Sequence, residues 1–234
     1  MGKFFKWTFI IFGTVSFYFL LGHSIASSIL IGLFVHEMGH AIAMKKLGYG
    51  VKKFYYIPFI GAAVESNKII TRKRHNLIVY AAGPIFGILF SLLSLCLFKI
   101  SDYAFLNDVY KYGILLNVSN LIPAGPLDGG RIIKFLLMGK NFNKKTYLIY
   151  LASNILGLYL IYHFWGLGIF FFLMLYPTFN ELSMVYKAIV YIENESERAK
   201  LEEKIINEKD EEVKKKLKET EWLANYHWTL IENN

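Results

Sequence analysis

Residues 32–44 read GLFVHEMGHAIAM, an apolar run interrupted by two histidines and a glutamate. Burying such groups without a compensating partner is expensive. On a helix, positions i and i+4 share a face, so His36 and His40 can present both imidazoles to one ion. Glu37 falls on a neighbouring edge, where it can act on a water held at a metal rather than bind the metal itself. Three settings compete: a zinc helix in water, a metal site inside a membrane, or a chance occurrence of His-Glu-x-x-His.

Two histidines do not complete a catalytic zinc site, which takes three protein ligands and an open position. The candidate for the third is Asp128, in NLIPAGPLDGGR (120–131). Pro123, Gly125, Pro126, Gly129 and Gly130 all oppose a continuous helix there. Residues 112–122 lead into this break and span roughly 16 Å as helix, which would put it near mid-depth of a bilayer. Irregular backbone at that depth is tolerated where it is buried in protein or lines a polar cavity. The competing reading makes Asp128 a cap for the next helical segment.

The elements that must position these residues decide the setting. The chain has 234 residues, 55% hydrophobic and 17% aromatic, with a mean hydropathy of +0.37, too apolar for an ordinary soluble domain. Six stretches are candidates for spans of about 20 apolar residues: 4–22, 25–44, 77–98, 112–138, 146–162 and 167–187. The last two are joined by the tight HFWG (163–166) and read as a helical hairpin, with His163 interfacial rather than a ligand. The expected fold is therefore an all-α polytopic membrane protein of six helices, the metal-site helix broken.

Charge orients it. With the N-terminus cytoplasmic, 16 of the 18 basic residues before position 188 face the cytoplasm and only Lys99 and Lys111 face outward. Both termini are thus expected in the cytoplasm, the protein lying in a bacterial cytoplasmic membrane. The net charge of +8 belongs to this topology and not to nucleic-acid binding. No small-residue cleavage pattern follows the first apolar stretch, which reads as a retained span. The single Cys96 excludes an intrachain disulfide.

Acidic residues are scarce before the tail. Asp102 and Asp108 are expected in the outer loop, leaving Glu37, Glu65, Asp128 and Glu181. An ionisable group in a span costs about 2.5–3.5 kcal/mol on insertion scales and is functional by default. Glu65 is assigned no chemistry, and Glu181 either gates or, the favoured reading, pairs with a Lys or Arg near the cytoplasmic face. Residues 1–190 form the membrane domain, with its core at about 25–138. Residues 191–234 form a charged cytoplasmic helical tail with Glu211–Lys215 and Glu212–Lys216 pairs and a stripe of Leu201, Ile205, Val213 and Leu217.

HEMGH followed by N-x-x-P-x-x-x-L-D-G-G resembles the site-2 proteases, membrane-embedded zinc metalloproteases. The resemblance implies one zinc per chain held by His36, His40 and Asp128, with Glu37 as catalytic acid/base. It marks Asn120 and Pro123 as the segment before the ligand aspartate. AAGPIFG (81–87) is similar to the family's middle core helix, and PFIGAAVES (58–66) to its membrane-associated β-hairpin. The β-forming aromatics before Pro58 and the small tip, Gly61, Ala62, Ala63 and Val64, suit a strand edge offered to an extended substrate, against the alternative of a plain re-entrant anchor. Asn120 is a donor to a developing oxyanion or a holder of substrate backbone; both remain open. The six-span layout most resembles the group containing the sporulation protease that processes a sigma-factor precursor. It implies a membrane-anchored protein substrate, leaves room for a regulatory membrane partner, and says nothing of oligomeric state. Cleavage near the cytoplasmic side would release a regulatory protein. A metal transporter and a non-cleaving pseudoprotease scaffold are the rivals.

Overall fold

The computed structural model describes residues 3–57, 61–70, 72–137, 144–165, 168–193, 203–207 and 214. Most of the tail, its Glu–Lys pairs included, lies outside the described residues. The chain divides into two compact units, residues 1–122 and 123–234, with the boundary just before Pro123.

The first unit begins with α1 (Lys3–Leu21) and α2 (His23–Lys46). Gly22, at φ 78°, separates them, a left-handed conformation that an L side chain rarely adopts. Lys45 and Lys46 occupy the last turn of α2, where positive charge complements the helix dipole. Gly48 and Gly50, both at positive φ, then turn the chain into β1 (Val51–Ile57) and β2 (Gly61–Ser66). The strands pair antiparallel, Ile57 opposite Gly61, Tyr55 opposite Ala63 and Lys53 opposite Glu65, with an irregularity between Val51 and Lys53. The expected hairpin is present. Its turn, residues 58–60, lies outside the described residues.

α3 (Lys73–Ser101) carries Pro84 in its interior and ends on Asp102 at φ 53°. Its 29 residues make a rod of about 43 Å, longer than the ~30 Å hydrocarbon core. α4 (Ala104–Asn120) starts well before the span expected at residue 112. Asp108 is accordingly not in a loop: it lies inside α4 and accepts a hydrogen bond from Ser24 Oγ. The charges of Asp108 and Lys111 hid an apolar face, Phe105, Leu106, Val109 and Gly113, at helical spacing.

α2, α3 and α4 pack on one another through small residues. A Cβ on Gly32 would lie 3.4 Å from Gly113 Cα, and one on Gly39 would meet Ala82 O at 2.5 Å. Lipid supplies no hydrophobic force between helices, so such close backbone approach is how spans associate. Ala43, Met44, Val79 and Ala82 form a small core, with Val64 of β2 packed against it.

The second unit holds α5 (Asp128–Leu137), α6 (Lys144–Trp165) and α7 (Ile169–Glu193). The helix break expected around 123–130 is found as the stretch between α4 and α5, residues 121–127, while Gly129 and Gly130, read as opposing a helix, lie inside the first turn of α5. α6 runs through His163 to Trp165, three residues beyond the span read from sequence, and packs on α7, Tyr162 meeting Phe171 at 6.2 Å between rings. His163 stacks on Tyr159.

Polarity is distributed as in a membrane protein. Ser28, Ser91, Ser94, Asn117 and Asn154 are buried, while Phe12, Phe19, Leu89, Ile155 and Phe179 are exposed. Two helices among the described residues, His23–Lys46 and Lys73–Ser101, are long and apolar enough to cross a membrane, and Ile11–Leu21 is a shorter apolar helix.

Candidate active site

His36, Glu37 and His40 all lie in the buried part of α2. One turn apart, the two imidazoles face each other edge to face, Nε2 to Nε2 at 3.1 Å, with ring centroids 4.7 Å apart. The other nitrogen of each ring is anchored. His40 Nδ1 lies 2.7 Å from the Val79 carbonyl oxygen, which can only accept, so Nδ1 carries the proton. His36 Nδ1 lies 2.8 Å from Asn117 Oδ1. Asn117 Nδ2 donates to the Gly113 carbonyl at 2.8 Å, which fixes the amide's orientation and leaves Oδ1 as the acceptor toward His36.

Both histidines are therefore Nδ1–H tautomers whose Nε2 lone pairs point at one another. Two lone pairs at that separation repel unless a cation lies between them. Zinc–nitrogen bonds of about 2.0–2.1 Å fit such a spacing, and an outer hydrogen bond on the far nitrogen is the usual support of a zinc-binding histidine. The pair fits a metal.

Glycines cut the space for these rings. A Cβ on Gly83 would overlap the His40 imidazole, and one on Gly87 would overlap the Asn117 amide. Gly83 and Gly87 are the glycines of the AAGPIFG stretch, so that stretch has a steric purpose here: it is the wall of α3 against which the His pair and Asn117 are seated.

Asp128 opens α5 and is buried. The stretch before it is held by its own unit. Leu127 N bonds to Ala124 O at 2.9 Å, and Arg131 N to Leu127 O at 3.1 Å. A Cβ on Gly130 would overlap Ala124 O, and one on Gly157 of α6 would meet Pro123 O at 2.5 Å. His36, His40 and Asp128 are all buried, and two imidazoles with a carboxylate are a donor set that suits zinc.

The remaining expected residues are placed as follows. Asn120 is the last residue of α4, and its Nδ2 donates to Leu116 O at 3.2 Å. Gly61–Val64 lie on β2, Val64 facing the core. Glu65 accepts from Lys52 Nζ at 3.1 Å and Tyr55 Oη at 2.7 Å, a surface role. Glu181 pairs with Lys134 of α5, as the favoured reading had it. Asn117, fully buried beside His36, was missed in the sequence. An asparagine near the end of an apolar stretch, three residues before Asn120, was the signal available.

The geometry describes a His-Glu-x-x-His helix with its polar groups buried, set in a largely helical, apolar fold. Comparison with known proteins says which kind. Residues 24–107 match the sequence profile described as Peptidase family M50. A zinc metalloprotease of Methanocaldococcus jannaschii is 28% identical over 159 residues, 61% of this chain and 46% of that protein. Stage IV sporulation protein FB of Bacillus subtilis is 32% identical over 127 residues, 52% of this chain and 43% of that protein. The site-2 protease structure from Methanocaldococcus jannaschii superposes with a TM-score of 0.53 at 23% identity, covering 74% of this chain and 84% of that one. The resemblance to the site-2 proteases is borne out, in the M50 segment and in the fold. The chain spans less than half the length of these two relatives.

Proposed function

We propose that this chain is an intramembrane zinc metalloprotease that hydrolyses peptide bonds within or beside a transmembrane segment of a membrane-held protein. The observation that carries the reading is the His36–His40 pair, with both Nδ1 protons anchored and both Nε2 atoms turned to a common point, and Glu37 buried on the same turn. His36, His40 and Asp128 are the three ligands assigned to one zinc per chain. Bound there, zinc supplies Lewis acidity toward a peptide carbonyl and toward water.

The chain's own groups do the rest. Glu37 takes the proton from the attacking water and passes it to the leaving amide nitrogen, so that one carboxylate serves both halves of the hydrolysis. Asn120, at the open end of α4, is assigned to substrate or oxyanion; its present bond to Leu116 O is local and exchangeable. A helical substrate hides its scissile amide, so it must be extended first. The two-stranded sheet has outer edges with no further strand among the described residues, and the Gly61–Val64 segment supports the assignment of this edge to an unwound substrate strand.

The six-span topology, cytoplasmic termini, a bacterial cytoplasmic membrane and the release of a regulatory protein belong to the same proposal and rest on the basic-residue bias and the family resemblance. The deciding experiment reconstitutes purified protein with zinc and single-span substrates. Glu37→Gln keeps its zinc and loses cleavage, because an amide cannot take the proton; Asp128→Asn loses both. Zinc flux across vesicles without proteolysis would establish the transporter instead, and equal cleavage by Glu37→Gln would remove Glu37 from the chemistry.

A further inference from the structure

Nothing in the M50 segment or in the HExxH pattern assigns a role to Asn117, yet it is the most tightly fitted polar side chain beside the two histidines. It is fully buried in α4. Three constraints hold it. Its Nδ2 is committed to the Gly113 carbonyl one turn back, at 2.8 Å. Gly87 of α3 leaves the space its amide fills. Ser91, bonded to Gly87 O at 2.8 Å, sits where a Cβ on Gly113 would fall, so the α3–α4 contact cannot slide to relieve a substitution. What remains is one oxygen, Oδ1, aimed at His36 Nδ1 from 2.8 Å.

We infer that Asn117 is the positioning residue for His36: by holding a proton on Nδ1 it turns Nε2 into the metal donor and so sets the affinity of the zinc site. The inference rests on the assignment of His36 as a ligand. The two histidines differ in this respect. His40 leans on a backbone carbonyl, which no side-chain substitution at position 79 removes, whereas His36 leans on a side chain. His36 is thus the ligand whose strength the sequence can tune. An isolated imidazole populates both neutral tautomers, and only the Nδ1–H form presents Nε2 to a metal. Removing the acceptor releases the ring to rotate and to place its proton on Nε2, against its neighbour. Outer hydrogen-bond partners of this kind are typically worth about 10- to 100-fold in metal affinity.

The test uses the full chain in detergent, with zinc affinity measured by chelator competition and His tautomers read from 15N spectra of the metal-free protein. Wild type shows His36 as the Nδ1–H tautomer. Asn117→Leu, matched in size, weakens zinc binding by about 10- to 100-fold and gives a His36 signal with Nε2–H character. Asn117→Asp, which keeps the acceptor but loses the donor to Gly113 O, restores tight binding and the Nδ1–H tautomer. A merely structural Asn117 predicts no such ordering, both variants being equally unstable and the His36 tautomer unchanged. Wild-type affinity in Asn117→Leu, or an Nε2–H His36 in the unmutated protein, overturns the inference, and the second needs no variant to fold. His36→Ala separates the two levels of the argument. If it abolishes zinc binding while Asn117→Leu does not, the ligand assignment stands and Asn117 is idle; if it binds zinc normally, both fall.

Discussion

Gly83→Ala is the most informative single change outside the charged residues, because one methyl group tests the whole seating of His40. A Cβ at that position meets three atoms of the imidazole, Nε2, Cε1 and Cδ2, all closer than real Cβ contacts allow. α2 and α3 are already in close backbone contact at this level, so the ring is the part that moves. Gly39, one residue before His40, is already against Ala82 O, where even a Cβ would come to 2.5 Å. The ring must therefore rotate, giving up the bond to Val79 O, worth about 0.5–1.5 kcal/mol. Leaving its rotamer costs a further ~0.5–1.5 kcal/mol. Together these make about 1–3 kcal/mol, or roughly 5- to 150-fold in zinc affinity at 1.4 kcal/mol per factor of ten. Chelator competition on purified protein reads it directly. Gly32→Ala is the matched control, since its Cβ would come only to 3.4 Å from Gly113 Cα, close to an ordinary contact. Wild-type zinc affinity in Gly83→Ala, with the fold intact by circular dichroism, would refute the steric account of this glycine.

Two further changes probe the second unit and the depth of the site. Lys134→Met leaves the half-buried Glu181 with Arg131 as its remaining cation and should destabilise the second unit by about 1.5–3 kcal/mol, whereas Lys134→Met with Glu181→Leu should recover most of that, read from thermal melts in detergent. Cleaved ends of a single-span substrate, mapped by mass spectrometry, should fall in or beside its cytoplasmic half, because His36 precedes Lys45 and Lys46 by about 14 Å of helix; cuts in the outer third would contradict the assigned depth.

The donor set was legible in the sequence because its costs are one-dimensional. A histidine or aspartate in an apolar run stands out before any fold is known, and i, i+4 spacing needs only helical geometry. The break before Asp128 was legible for the same reason: Pro123, Gly125 and Pro126 speak locally. Asn117 was not, since its meaning lies in an oxygen pointed at a histidine 81 residues away, and nothing in LLNVSN distinguishes it from Asn120. Nor was the start of α4. Asp108 and Lys111 read as loop charges until Ser24 is seen donating to Asp108. The glycines of AAGPIFG were legible as a resemblance, but their purpose, clearance for His40 and Asn117, exists only once α3 has packed. The glutamates divided likewise. Glu181 needed a cation and found Lys134, a pairing that charge alone suggested without naming the partner.

The two imidazoles of α2 are oriented by protein groups of their own helical unit, the Val79 carbonyl and the Asn117 amide. Neither acceptor lies on α2 itself: one is on α3 and the other on α4. The aim of the two rings is therefore a property of how three helices dock, and a substitution at the small-residue contacts between them, such as Gly32 with Gly113 or Gly39 with Ala82, reaches the histidines without touching either one.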